Sequence, residues 1–164
     1  MPLVHICLGS NLEPRASYLD QAAARLQAEF PEQFKVSRYY LSAPYQGLKQ
    51  GAYLNAALCF WTELSPQDLL DQLLQIEKDL GRRRTQLKWD ERTLDLDIAL
   101  FGDLVLESDK LTIPHYDLAG RDFFLVPLLE LSPKLMDPRT GKSLQVLLAQ
   151  IPKESLTHLS HWAP

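Results

Sequence analysis

The chain has 164 residues, 46% of them hydrophobic and 23% charged, with a formal net charge of −4. That length fits a single domain over residues 1–164, able to bury its own core without disulfides or a structural metal, and the acidic balance excludes the broadly basic surface of a general nucleic-acid binder. No stretch has the length and apolarity of a membrane span, and the first apolar run gives way at once to Gly9-Ser10-Asn11, so neither a membrane segment nor a signal peptide is expected and a reducing cytoplasm is the default setting.

In chain order, residues 3–8 read as a strand, followed by a small polar turn, Gly9-Ser10-Asn11, suited to capping the next helix. Residues 14–30 place Leu19, Ala22, Ala23, Leu26 and Phe30 at helical spacing before Pro31 stops the helix. Residues 34–41 read as a second strand. A loop over 42–52, punctuated by Pro44, Gly47 and Gly51, leads to a third strand at 53–61. The next helix carries the clearest signals: Ser65 as N-cap, Pro66 at the first position, Asp68 at the positive end and Gly81 closing it. A strand over 92–101 follows, then a Gly102-Asp103 turn and a short apolar run at 104–106. Beyond it lie a leucine-rich segment containing Pro127 and a short helix candidate at 143–150. The order strand, helix, strand, strand, helix, strand predicts an α+β, ferredoxin-like βαββαβ core, an antiparallel sheet under two helices, with a C-terminal extension. Cys7 and Cys59 lie in apolar runs and read as buried thiols rather than a disulfide framework.

The chemistry concentrates in the last core strand, Arg92-Thr93-Leu94-Asp95-Leu96-Asp97-Ile98-Ala99-Leu100-Phe101. Side chains alternate along a strand, so Leu94, Leu96, Ile98 and Leu100 are expected on one face and Asp95 and Asp97 on the other, roughly 7 Å apart at about 3.3 Å per residue. Two like charges on one strand face are unfavourable without a counter-charge. A solvated outer face is the bland reading of the aspartates, and a solvated connector that of the loop before them. Yet that loop carries Arg82, Arg83, Arg84, Lys88 and Arg92, five of the 17 basic residues of an acidic chain. Arginine forks grip phosphate oxygens and paired carboxylates hold the divalent cations that accompany polyphosphates, so the two features together point to phosphoryl-type chemistry.

Further candidates surround this strand. Tyr53 and Asn55 share a strand face, an aromatic plate beside an amide that needs a partner, either backbone or ligand. Packing alone would equally account for Tyr53. His115 and Tyr116 follow Pro114, with Arg121 and Phe123 shortly after; a lone histidine in a turn is more often structural, but this one lies near the proposed anion site. Trp89 sits in the basic loop, where covering a ligand would give an indole a purpose. An RNA-recognition module shares this strand and helix order, but the Gly-Phe-Gly-Phe type of aromatic pattern is absent. A two-metal phosphohydrolase would use Asp95 and Asp97 and leave Tyr53, Asn55 and Phe123 without a role.

Gly9-Ser10-Asn11-Leu12, Tyr53-Leu54-Asn55-Ala56-Ala57, Gly81-Arg82 with Arg84, Arg92-Thr93-Leu94-Asp95-Leu96-Asp97-Ile98 and Ile113-Pro114-His115-Tyr116 together resemble the 6-hydroxymethyl-7,8-dihydropterin pyrophosphokinase family of folate biosynthesis, in matching order over nearly the whole chain. The resemblance implies transfer of pyrophosphate from ATP to the pterin hydroxymethyl group with release of AMP, on a ferredoxin-like core with three mobile loops. It implies that Asp95 and Asp97 hold two Mg2+ ions and that Arg82 and Arg92 close over the triphosphate. Arg84, Trp89, Lys110, Thr112, His115, Tyr116 and Arg121 would contact ATP, with Glu77 and Ile98 nearby. Tyr53 and Phe123 would sandwich the pterin while Asn55 and the backbone around Ser42, Ala43 and Tyr45 read its edge. The expected partners are these two small molecules, with no nucleic acid and no membrane, and the expected state is a monomer. Three stretches depart from the family pattern: Asp90-Glu91 stands where Gly-Pro is usual, Lys110 where arginine is common, and the loop Ala43-Pro44-Tyr45-Gln46 is unusual. None removes a metal ligand or a proposed catalytic arginine, so activity with changed kinetics is expected.

Overall fold

The computed structural model describes residues 1–43, 52–81 and 93–164. Strand β1 (Leu3–Ser10) lies at the centre, antiparallel to β4 (Tyr53–Trp61) on one side and β5 (Asp95–Phe101) on the other. β4 also pairs with β2 (Lys35–Val36) and β3 (Tyr40–Ser42), and β8 (Ser160–His161) adds to β3, giving the order β5-β1-β4-β3-β8. Helices α1 (Arg15–Glu29) and α2 (Pro66–Asp79) supply Leu19, Leu26, Leu69 and Leu73 to the core on one face, against Ile6, Leu8, Leu54 and Phe60. This is the expected ferredoxin-like core, all antiparallel. The extension, α3 (Asp122–Leu131) and α4 (Leu144–Gln150), covers the opposite face with Leu118, Phe124, Leu125, Leu128, Leu144 and Leu147 over Cys7, Ala57 and Ala99. Covered on both sides, β1 and β4 are buried nearly throughout, which is why their sequences run apolar without alternation. A two-stranded ribbon, β6 (Leu106–Glu107) with β7 (Thr112–Ile113), completes the chain.

Helix α2 begins and ends as its sequence signals direct. Ser65 Oγ accepts from Asp68 N at 3.1 Å, Pro66 opens the helix, and Gly81, at φ +92°, follows its last turn. Other expectations are corrected. Gly9 and Ser10 belong to β1, and Pro14 is the N-cap of α1 with no side-chain cap, so the polar turn does not cap that helix. The single strand over 34–41 is broken into β2 and β3 by a bulge: Val36 faces Leu58 but Tyr40 faces Asn55, so one strand carries an extra residue. There Ser37 Oγ, rather than a main-chain carbonyl, accepts from Ala57 N at 2.9 Å. A second bulge corrects the faces of β5. Ile6 pairs with Ile98 but His5 with Leu100, so Ala99 is the extra residue and Leu100 packs against α3 and α4, opposite to Leu94, Leu96 and Ile98. In the apolar run at 104–106, Leu104 and Val105 are exposed and only Leu106 enters a strand.

His5 on β1 shows what this two-sided burial costs. Its Nε2 lies 3.1 Å from Ser132 Oγ, its Nδ1 has no hydrogen-bond partner among the described residues, and burial pushes its pKa down to about 4. As pH falls below the usual histidine value, the unfolded chain takes up a proton that the folded one refuses. Stability is therefore complete above pH ~6.5 and falls by up to about 3 kcal/mol as pH approaches 4. Urea unfolding at pH 7, 5 and 4 should show this decline, and His5→Gln should make it shallower by about that amount; an unchanged slope in that variant would remove His5 as a contributor.

Candidate active site

The sheet register assembles the site on the face covered by α3 and α4, at the end those helices leave partly open. Gly9 pairs with Asn55 on one side and Asp95 on the other, and Cys7 with Ala57 and Asp97. With a side-chain period of two, Tyr53, Asn55, Gly9, Asp95 and Asp97 share this face, and Tyr40 and Ser42 extend the rows from β3. Tyr53 and Asp95 are half-buried, and the Asp97 side chain is 37% exposed. The face is therefore open where the carboxylates stand and closed beneath them. A cleft of about 550 Å³ lined by Leu3, His5, Leu100 and Ser132 lies toward the other end of β1, away from these groups.

Gly9 is the floor between the two halves. A Cβ there would meet Tyr53 Cδ1 at 3.7 Å and Asn55 Oδ1 at 3.8 Å, ordinary contacts, so neither a clash nor backbone conformation demands glycine. What glycine leaves is space between an aromatic ring and an amide oxygen. Asn55, 3% exposed, donates through Nδ2 to Ser42 Oγ at 2.8 Å and toward the carbonyls of Tyr40 and Tyr53. These bonds fix the amide's orientation and present Oδ1 over Gly9 as an acceptor. The sequence left open whether the partner of Asn55 was backbone or ligand; its nitrogen takes the protein and its oxygen faces the floor.

The carboxylate side is built from the β5 bulge. The carbonyl of Ala99 accepts from His115 N at 3.0 Å, holding the 112–121 segment against β5. His115 Nδ1 accepts from Asp117 N at 3.1 Å, which leaves the proton on Nε2, 3.9 Å from Asp97 Oδ1. Burial first, and the Arg121 guanidinium second, push the imidazole down to about 3. His115 is thus neutral near pH 7, and its approach to Asp97 is not an ion pair; it offers an N–H donor beside the carboxylates. Its ring stacks on Tyr116 at 4.5 Å and meets Phe124 edge-on at 5.0 Å. Arg121, 6% exposed, donates from Nε to Asp117 Oδ2 at 2.8 Å, and its guanidinium lies 4.9 Å from the Phe124 ring centroid and 5.7 Å from that of Phe123.

Of the remaining sequence candidates, Thr112 is half-buried on β7 and Lys110 exposed in the preceding turn. Ser42 is buried under Asn55, and Ala43 is exposed at the end of β3. Phe123 is half-buried at the start of α3, edge-on to Phe124. Glu77 and Ile98 belong to the other layer: Ile98 packs in the α1 and α2 core, and buried Glu77 accepts from Leu96 N at 2.7 Å, bracing the aspartate strand from its outer edge. Tyr45, Arg82, Arg84, Trp89 and Arg92, with Arg83, Lys88, Asp90 and Glu91, lie outside the described residues. Three contributors were missed in the sequence. Asp117 had a signal in its i, i+4 spacing to Arg121, and Gly9 one as a glycine interrupting an apolar strand; Ala99 had none.

The donor set limits the cation. Among the described residues no group of three or more His, Cys, Asp or Glu side chains converges to cage an ion. Two carboxylates on a partly open face suit Mg2+, which keeps much of its water and takes the rest of its shell from substrate phosphates, and do not suit a closed structural zinc site.

Comparison with known proteins agrees with this chemistry. Residues 5–133 match the model of the 7,8-dihydro-6-hydroxymethylpterin-pyrophosphokinase family. The chain is 43% identical over 159 residues to the 2-amino-4-hydroxy-6-hydroxymethyldihydropteridine pyrophosphokinase of Pseudomonas aeruginosa, covering 95% of this chain and 96% of that one. It is 41% identical over 141 residues to the enzyme of the same name from Haemophilus influenzae, covering 85% and 88%. Its fold is similar to that of wild-type HPPK-DHPS from Plasmodium falciparum, with a TM-score of 0.68 at 13% identity, over 91% of this chain but only 44% of that longer one.

Proposed function

The chain belongs to the 7,8-dihydro-6-hydroxymethylpterin-pyrophosphokinase family and transfers pyrophosphate from ATP to the hydroxymethyl group of 6-hydroxymethyl-7,8-dihydropterin, releasing AMP, in folate biosynthesis; we propose that the open sheet face around Gly9 carries that reaction. The observation behind this assignment is the register that sets Asn55 and Asp95 on either side of Gly9. One half of the face has the character of an aromatic slot for a flat heterocycle, and the other that of a phosphate and cation site.

In this reading Tyr53 and Phe123 sandwich the pterin, and Asn55 Oδ1 accepts from its edge, assisted by Ser42, Ala43 and Tyr45. Lys110, Thr112, His115, Tyr116 and Arg121 hold the nucleotide with Arg84 and Trp89, while Glu77 and Ile98 support the aspartate strand from behind. His115 gives a fixed N–H donor, and the Asp117 carboxylate holds the Arg121 guanidinium in place. Asp95 and Asp97 would hold two Mg2+ ions, which lower the triphosphate charge that repels the attacking hydroxyl. Arg82 and Arg92 neutralise charge on the transferring group, since such transfers depend on positioning and electrostatics more than on covalent chemistry.

The same reading has the chain act as a single-domain monomer in the cytoplasm on small molecules, without nucleic acid or membrane partners. It is supported by the acidic net charge of −4 and by the Glu77 carboxylate occupying Leu96 N on the outer strand of the sheet. Among the described residues no helix is long and apolar enough to cross a membrane. The deciding assay incubates the purified protein with MgATP, with and without 6-hydroxymethyl-7,8-dihydropterin, and follows AMP and pyrophosphorylated pterin. Both should appear only with pterin; phosphate release independent of pterin would turn the assignment toward a hydrolase.

A further inference from the structure

We propose that Thr157, far along the chain from every residue assigned so far, is a positioning residue for the pterin: it straps together the two walls of the slot. The inference rests on the assignment of Phe123 and Tyr53 to pterin binding. Phe123 stands one residue into α3, directly after Asp122. The Asp122 side chain is 4% exposed, and both its oxygens are used by one residue: Oδ2 accepts from Thr157 N at 2.9 Å and Oδ1 from Thr157 Oγ1 at 2.8 Å. The carbonyl of Thr157 accepts in turn from Ala43 N at 3.3 Å, at the end of β3, whose Ser42 pairs with Tyr53 of the other wall. One buried threonine therefore joins the base of the Phe123 wall to the strand that runs beside Tyr53.

The strap is held in place further along. β8 pairs with Tyr40 and Leu41, Trp162 N donates to Tyr39 O at 2.9 Å, and the His161 and Tyr40 rings lie 5.0 Å apart. Tyr40 also donates its hydroxyl to Glu130, tying β3 back to α3. A slot that grips a planar ring between two aromatic side chains works only when its walls keep one ring's spacing. Walls left loose must be ordered at each binding event, which weakens binding of that ligand and not of its neighbour. The Thr157 hydroxyl supplies one of the two donors to a buried carboxylate, so its removal loosens the joint while leaving the main-chain bond.

The test compares Thr157→Val, Thr157→Ser and Phe123→Ala in steady-state kinetics with each substrate varied in turn, beside thermal unfolding. Thr157→Val should raise the KM for pterin about tenfold and change the KM for ATP by less than about twofold, and Thr157→Ser should restore the wild-type value. Thr157→Ala, which removes the hydroxyl without adding a methyl in its place, should give the same one-sided pattern and serves if the valine variant is poorly folded. Should Phe123→Ala weaken pterin while Thr157→Val leaves it unchanged, or weakens both substrates alike, the strap is refuted and the slot stands. Should Phe123→Ala leave pterin affinity intact, the slot assignment fails and the strap with it.

Discussion

Asp97→Ala is expected to lower kcat by about a thousandfold or more while leaving the protein folded, because on the proposed assignment it loses the Mg2+ that lowers the triphosphate charge repelling the attacking hydroxyl. The structural cost is small. The Asp97 side chain is 37% exposed, and its loss leaves the apolar layers on both faces of the sheet packed as before. The Tm should therefore change by no more than a few degrees while Mg2+-dependent turnover vanishes. Kinetics across a Mg2+ titration, paired with thermal unfolding, would check both halves. Turnover within about tenfold of wild type at every Mg2+ concentration would remove the cation assignment.

Gly9→Val is expected to raise the KM for pterin about a hundredfold, with a much smaller effect on ATP. The Cβ alone makes ordinary contacts of 3.7 Å with Tyr53 and 3.8 Å with Asn55, so the backbone accepts it, and a β-branched residue suits a strand. The two γ-methyls must then occupy the floor on which the heterocycle would rest, and they crowd the Asn55 oxygen proposed to read its edge. Gly9→Ala should lie between, within about tenfold of wild type, since a single methyl is worth only a kcal/mol or so in a pocket. Equal losses for pterin and ATP would show that Gly9 supports the whole sheet end rather than the slot.

Local sequence carried much of this fold. Ser65, Pro66 and Gly81 bounded α2 because capping and left-handed backbone depend on neighbouring residues. The run at 34–41 reads as one strand in the sequence because its break depends on Ser37 meeting Ala57, twenty residues away. The sequence places Leu100 on the wrong face for the same reason, since strict alternation holds only until a bulge resets it. Lys110 and Thr112 were legible only through family resemblance, having no pattern of their own that marks a site.

By itself, then, the sequence determined the order of the core elements, the caps of α2 and the shared face of Asp95 and Asp97, all consequences of short-range periodicity and backbone preference. Tertiary structure alone decided that Gly9 lies between Asn55 and Asp95, that the extra residue at Ala99 seats His115 beside Asp97, and that Asp122 meets Thr157. Each of these depends on strand register or on a hydrogen bond between distant segments, and register is set by how whole strands and helices pack, which no local window of the chain encodes.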